Sequence, residues 1–87
     1  MKNRQNLYNM FLQAYNACAE RLVFSLNEVE LAEDGEPWVA REGKEEEMIR
    51  LKELWGELTL VELCYADEVS YQAGLNAVRR KLLLVGA

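Results

Sequence analysis

Histidine is absent from the 87 residues, proline occurs once and cysteine twice. Each shortage closes a class of chemistry. Without histidine, no side chain changes charge near neutral pH at its unperturbed pKa. A Cys–His nucleophile pair cannot form within the chain, and a zinc site of the usual Cys and His type has no support. Two cysteines, Cys18 and Cys64, are too few for the disulfide framework of small secreted domains. Both sit among apolar residues, so they are expected to be buried thiols in a reducing compartment, which points to a cytoplasmic protein. Glycine-rich phosphate loops, Gly-x-Ser-x-Gly and acidic calcium loops are also missing. The basic start is followed by Asn9, Gln13, Asn16 and Glu20, so it reads as neither signal peptide nor membrane span. No internal repeat or low-complexity tract is present. The expectation is a protein without catalysis, metal or cofactor.

Positive charge is also scarce. Ten bases stand against fifteen acids, for a net charge of −5. Phosphate backbones demand clustered Lys and Arg, so nucleic acid is a poor match. Arg79-Arg80-Lys81 is too small a patch to change that and suits the negative end of a helix instead. Residues 28–57 hold eleven acids against four bases. That bias raises one functional reading, an acidic inhibitor or mimic that blocks a basic surface.

What the chain has in quantity is apolar side chains, 51% of its residues. So high a share in one small domain favours burial by self-association or by a partner. From about residue 3 to 31, Tyr8, Leu12, Tyr15, Ala19, Leu22, Leu26 and Val29 step by four and three, which predicts one long helix. Leu7, Phe11, Ala14 and Cys18 widen that seam. The opposite line is mostly amides (Asn6, Asn9, Gln13, Asn16, Asn27), which can be desolvated in an interface at lower cost than charges. Residues 32–43 form a connection, with a turn at Asp34-Gly35 and a stop at Pro37. A rival reading is a short β-hairpin within 29–41, pairing Val29–Ala32 with Trp38–Arg41. Glu45-Glu46-Glu47 suits the positive end of a second helix over about 44–66, with Glu46 and Arg50 spaced to pair. Its seam is Leu51, Leu54, Leu58, Val61 and Tyr65, with Met48 and Trp55 alongside. Leu58–Ala66 is apolar nearly all round and asks for cover on more than one side.

At Glu68 the seam fails, and a new one begins: Tyr71, Leu75, Val78, Leu82, Val85. Two structures fit over residues 67–85. The helix continues and turns a new face to a neighbour, or it breaks near Ala66–Ser70, where Asp67 caps a third helix that folds back. The expected fold is therefore all-α, a single domain. Two long helices form an antiparallel hairpin, with the C-terminal helix folded back or paired in a homodimer in four-helix-type packing. The expected function is a small acidic protein–protein interaction module, an adaptor, chaperone-like cofactor or regulator. A self-assembling structural subunit is the alternative. Its partners would be another protein or a second copy, with no nucleic acid and no membrane. The residues assigned to that interface are Trp38, Leu60, Leu63, Tyr71, Leu75, Val78, Leu82 and Val85. Glu62, Asp67 and Glu68 are the acids nearest the apolar stretch, and Glu62 reads as its solvent-facing line.

Overall fold

A computed structural model of the chain describes residues 2–31, 38–64 and 67–85, with side chains for 4–29, 38–64 and 67–85. Four helices pack together among these residues: α1 (Lys2–Cys18), α2 (Leu26–Leu31), α3 (Glu45–Cys64) and α4 (Glu68–Leu82). The class is all-α. Pairing of extended backbone among the described residues is confined to one isolated antiparallel bridge between Ala19 and Ala40. The turn expected at Asp34-Gly35, Pro37 and the seam position Tyr65 lie outside the described residues.

The first correction concerns the helix expected over 3–31, which ends at Cys18 and restarts at Leu26. Neither Gly nor Pro breaks it; partners from elsewhere do. The Asn16 amide donates to the Val23 carbonyl (2.9 Å) and accepts from the Val23 amide (2.8 Å), as a neighbouring strand would. The Glu20 amide donates to the Val39 carbonyl and the Arg41 amide to the Cys18 carbonyl, each at 2.8 Å. Arg41 also brings its guanidinium to the Asn16 and Ala19 carbonyls, a cation at the negative end of α1. These bonds replace those a continuing helix would have made. The β-hairpin within 29–41 is likewise corrected. Val29 lies in α2, and the segment after Trp38 pairs instead with residues 18–20. A local signal for the restart exists in Ser25-Leu26-Asn27-Glu28, the spacing of a capping box. The Glu28 carboxylate accepts from the Ser25 amide (3.0 Å) and from the Phe24 amide.

The face of α1 that is buried is also displaced by one residue. Leu7, Phe11, Tyr15 and Cys18 are its centre, whereas the expected seam residues Tyr8 and Leu12 are only half-buried. Phe11 meets the Trp55 ring at 5.1 Å between centroids, and Trp38 stands edge-on to Tyr15 at 5.5 Å. Trp38 is half-buried at the end of α1, where an aromatic body can close a core while its rim stays wet.

Of the two structures that fit residues 67–85, the chain takes the break: α3 ends at Cys64 and α4 starts at Glu68. Asp67 caps α4, its carboxylate accepting from the Ser70 amide at 2.8 Å. The contacts Glu62–Tyr71, Val61–Gly74 and Glu57–Lys81 run in opposite order along the two helices, so α4 returns along α3. It also packs on α1. A continuous helix from 44 to 85 would be roughly 60 Å long, but the longest dimension of the described residues is 40 Å. Four of the residues assigned to an interface are thereby corrected. Tyr71, Leu75, Val78 and Leu82 lie in the chain's own core, at 8%, 2%, 2% and 3% exposure, and Val85 packs partly against it. Each such aliphatic side chain is worth about 1.5–3 kcal/mol when fully buried. The Glu46–Arg50 pair does not close, and Arg50 has no ion pair among the described residues.

Two glycines inside helices have opposite surroundings. A Cβ on Gly74 would sit 2.9 Å from both methyls of Val61, a stiff β-branched side chain. A Cβ on Gly56 would meet no atom within 4 Å. Glycine in a helix interior costs about 0.5–1 kcal/mol relative to alanine. Gly56→Ala is therefore expected to raise stability by about that amount. Gly74→Ala should lower it by about 1–3 kcal/mol through overpacking, and urea unfolding separates the two. Tyr15 is fully buried, and its hydroxyl has no hydrogen-bond partner among the described residues. An unsatisfied buried donor costs about 1–3 kcal/mol, so Tyr15→Phe is expected to leave the melting temperature unchanged or raise it. A clear loss of stability on that substitution would show that the hydroxyl is bonded.

Candidate interaction surface

The wheel of α3 divides the apolar stretch in two. Leu51, Leu54 and Leu58 face inward, while Leu60 and Leu63, three residues apart, stand outward at 59% and 76% exposure. These are the two assigned interface residues on the outer side of α3 that the fold leaves uncovered. Further back on the same outward side stands Ile49, 58% exposed. Beyond the turn into α4, Val69 is 81% exposed. Single exposed apolar side chains are normal, whereas a contiguous set of them marks contact surface. Leu60 and Leu63 form a ridge between two shallow hollows. On one side Leu60 borders a hollow of about 270 Å³ with Val61, Cys64, Ser70 and Tyr71. On the other Leu63 borders a groove of about 340 Å³ whose walls include Arg4, Tyr8, Asn27, Trp55 and Glu62.

Cys64 is exposed on this ridge and only Cys18 is buried, which corrects the expectation for the pair. The reason is rotational: Cys64 is four residues from Leu60 and shares its outward side. Burial pushes the Cys18 thiol above its ordinary pKa, which disfavours the thiolate.

Glu62 is also corrected. It is not on a solvent-facing line; its side chain is only 25% exposed. One carboxylate oxygen accepts from the Tyr8 and Tyr71 hydroxyls, each at 2.9 Å. The Arg4 guanidinium lies 3.4 Å from the same oxygen. The Arg4 Nε also donates to the Tyr8 oxygen at 3.1 Å. One acid on α3 thus ties together α1 and α4. The tyrosines were visible in the sequence, but their distances of 54 and 9 residues from Glu62 carry no local signal. Chemically the cluster is one carboxylate oxygen shared among two phenol donors and a guanidinium. Among the described residues, no group of three or more cysteine and acidic side chains gathers to hold a metal ion, and no helix is long and apolar enough to cross a membrane. Asp67 and Glu68 serve the start of α4 instead: Asp67 as its cap, Glu68 accepting from the Gln72 amide.

Comparison with family models, with curated proteins and with solved structures finds no match to this chain.

Burial, and then the hydrogen bond it donates to Glu62, push the Tyr71 hydroxyl up to about 12. Burial raises the Tyr8 hydroxyl as well. The protonated phenol is the form the fold favours, so its contribution is present in full below the unfolded value of about 10. That contribution is lost as pH rises through the folded value, about 12. Stability is expected to fall by about 1–2 kcal/mol over that window on account of Tyr71. Tyr71→Phe should flatten the decline, and tyrosinate absorbance should lose its latest step. An unchanged alkaline profile in the variant would remove Tyr71 from the cluster.

Proposed function

We propose that this chain is a small protein–protein interaction module without catalytic activity, and that it docks a partner helix on the outward side of α3. One observation carries the reading: after the fold has filled its core with fifteen apolar side chains among the described residues, Ile49, Leu60 and Leu63 still stand in water on one helix. A helix laid along them would complete the four-helix-type packing anticipated for a paired form. The exposed amides support such contact as well. Asn27 lines the groove beside Leu63, and Asn9 an adjoining hollow. Amides pair with a partner's polar groups at lower desolvation cost than charges. An exposed thiol at Cys64 fits a reducing compartment such as the cytoplasm.

The acidic-blocker reading competes on the charge of residues 28–57. The two differ in salt dependence, since apolar docking tolerates salt and charge docking is screened within a Debye length of about 8 Å at physiological ionic strength. The test is capture of partners from the native host with wild type and with Leu60→Glu/Leu63→Glu, at low and moderate salt. Both leucines are exposed, so the variant should melt within about 0.5 kcal/mol of wild type. It is expected to lose a partner that wild type retains at moderate salt. A partner stripped from wild type by salt, and indifferent to the two leucines, would replace this reading with the acidic one.

A further inference from the structure

The outward side of α3 has the spacing of a helix-pairing seam. Ile49, Glu53, Gly56, Leu60 and Leu63 step by four, three, four and three, and all five are exposed. That is the repeat with which one helix interlocks with another. Four charged residues border or occupy its central part: Arg50 and Lys52 against Glu53 and Glu57. This central part is balanced although the whole chain carries −5, while the next step of the seam towards the start of α3 is the exposed Glu46. A balanced centre meets its own copy without net repulsion, and Glu46 then falls opposite Leu63 at the two ends.

We propose that α3 pairs antiparallel with α3 of a second copy of this chain, centred between Glu53 and Gly56. This rests on the reading of the outer α3 face as a contact surface, and names its occupant. Turning one helix end for end about that centre sets Ile49 opposite Leu60 of the second copy, twice by symmetry. It sets Glu53 opposite Gly56, where no side chain competes for room and where the surface is open. On one flank Arg50 comes beside Glu57 of the second copy, again twice. The Arg50 side chain has no hydrogen bond or ion pair within its own chain among the described residues. Glu57 holds Lys81 at 2.7 Å through one oxygen, and a carboxylate has capacity for a second donor. A parallel arrangement is disfavoured, because it would press Glu53 against Glu53. The charge pattern thus selects both the partner and its direction.

The test is the mass of the chain by sedimentation over a range reaching about 0.5 mM, since a seam this short belongs to the weak, small-area class. Wild type is expected to dimerise. Arg50→Glu and Glu57→Arg should each weaken the dimer by about tenfold or more, each losing two pairs and creating two repulsions. The double exchange should restore it. In a parallel pair Arg50 would instead face Glu45, and Glu57 would face Lys52, so the double exchange would not rescue. Gly56→Glu gives an independent check, because its Cβ would meet no atom within 4 Å and glutamate favours the helix over glycine. It should be monomeric with wild-type helicity. A wild type that stays monomeric, or a double exchange that stays dissociated, overturns the proposal. Loss of a captured partner in Leu60→Glu/Leu63→Glu would still support the broader reading, so the two fail separately.

Discussion

The close return of α4 along α3 is the constraint on which the rest depends. α3 carries apolar residues around most of its girth, and one neighbour cannot cover it. Gly74 lets the α4 backbone come within van der Waals reach of Val61. That approach brings Tyr71, Leu75, Val78 and Leu82 into the core. α1 then closes the remaining side with Leu7, Phe11 and Tyr15. The break that makes this possible is short and well capped. Asp67 satisfies the first turn of α4, and Arg79, Arg80 and Lys81 sit at its negative end, each end complementing the helix dipole.

Glu62 shows how burial and polarity are reconciled in so small a body. A partly buried carboxylate is costly unless its lone pairs find donors. Here two phenols and a guanidinium supply them, from α1 and α4. Burial first, and then the same contacts, make the Tyr71 hydroxyl a weaker acid, because ionising it would put a phenolate out of water and against a carboxylate. The network thus fixes the register of three helices at one end, where apolar packing alone would tolerate sliding. At the other end, Glu57 and Lys81 make a more exposed tie, of lesser energetic weight.

The outer side of α3 is what remains after these demands are met. It leaves Ile49, Leu60 and Leu63 exposed, and a glycine interrupts it where alanine would hold the helix better. Neither feature serves the monomer. Both would suit the second helix proposed above, which needs apolar knobs and a place where backbones approach. The function proposed for the chain and the pairing inferred for α3 follow from that same surplus.

Much of this was legible in the residues. The all-α class, the start of α3 at three acids and the seam of α4 follow from helical spacing and capping, which are local properties. So does the outward position of Leu60 and Leu63, once the inward face of α3 is known. A cap at Asp67 was one of two structures the spacing allowed. The interruption of the first helix was only half legible. The capping box at Ser25 was there to be read, but the hydrogen bonds from residues 39–41 that end α1 come from far along the chain. The role of Glu62 was illegible for the same reason, since an acid between leucines looks alike whether it faces water or two tyrosines. The α4 seam illustrates the division most plainly. Its spacing required that Tyr71 to Leu82 be covered, and nothing in that spacing said by what. Periodicity specifies which side of a helix must leave water; only the three-dimensional packing decides whether the cover is the same chain or another, because burial rewards either equally.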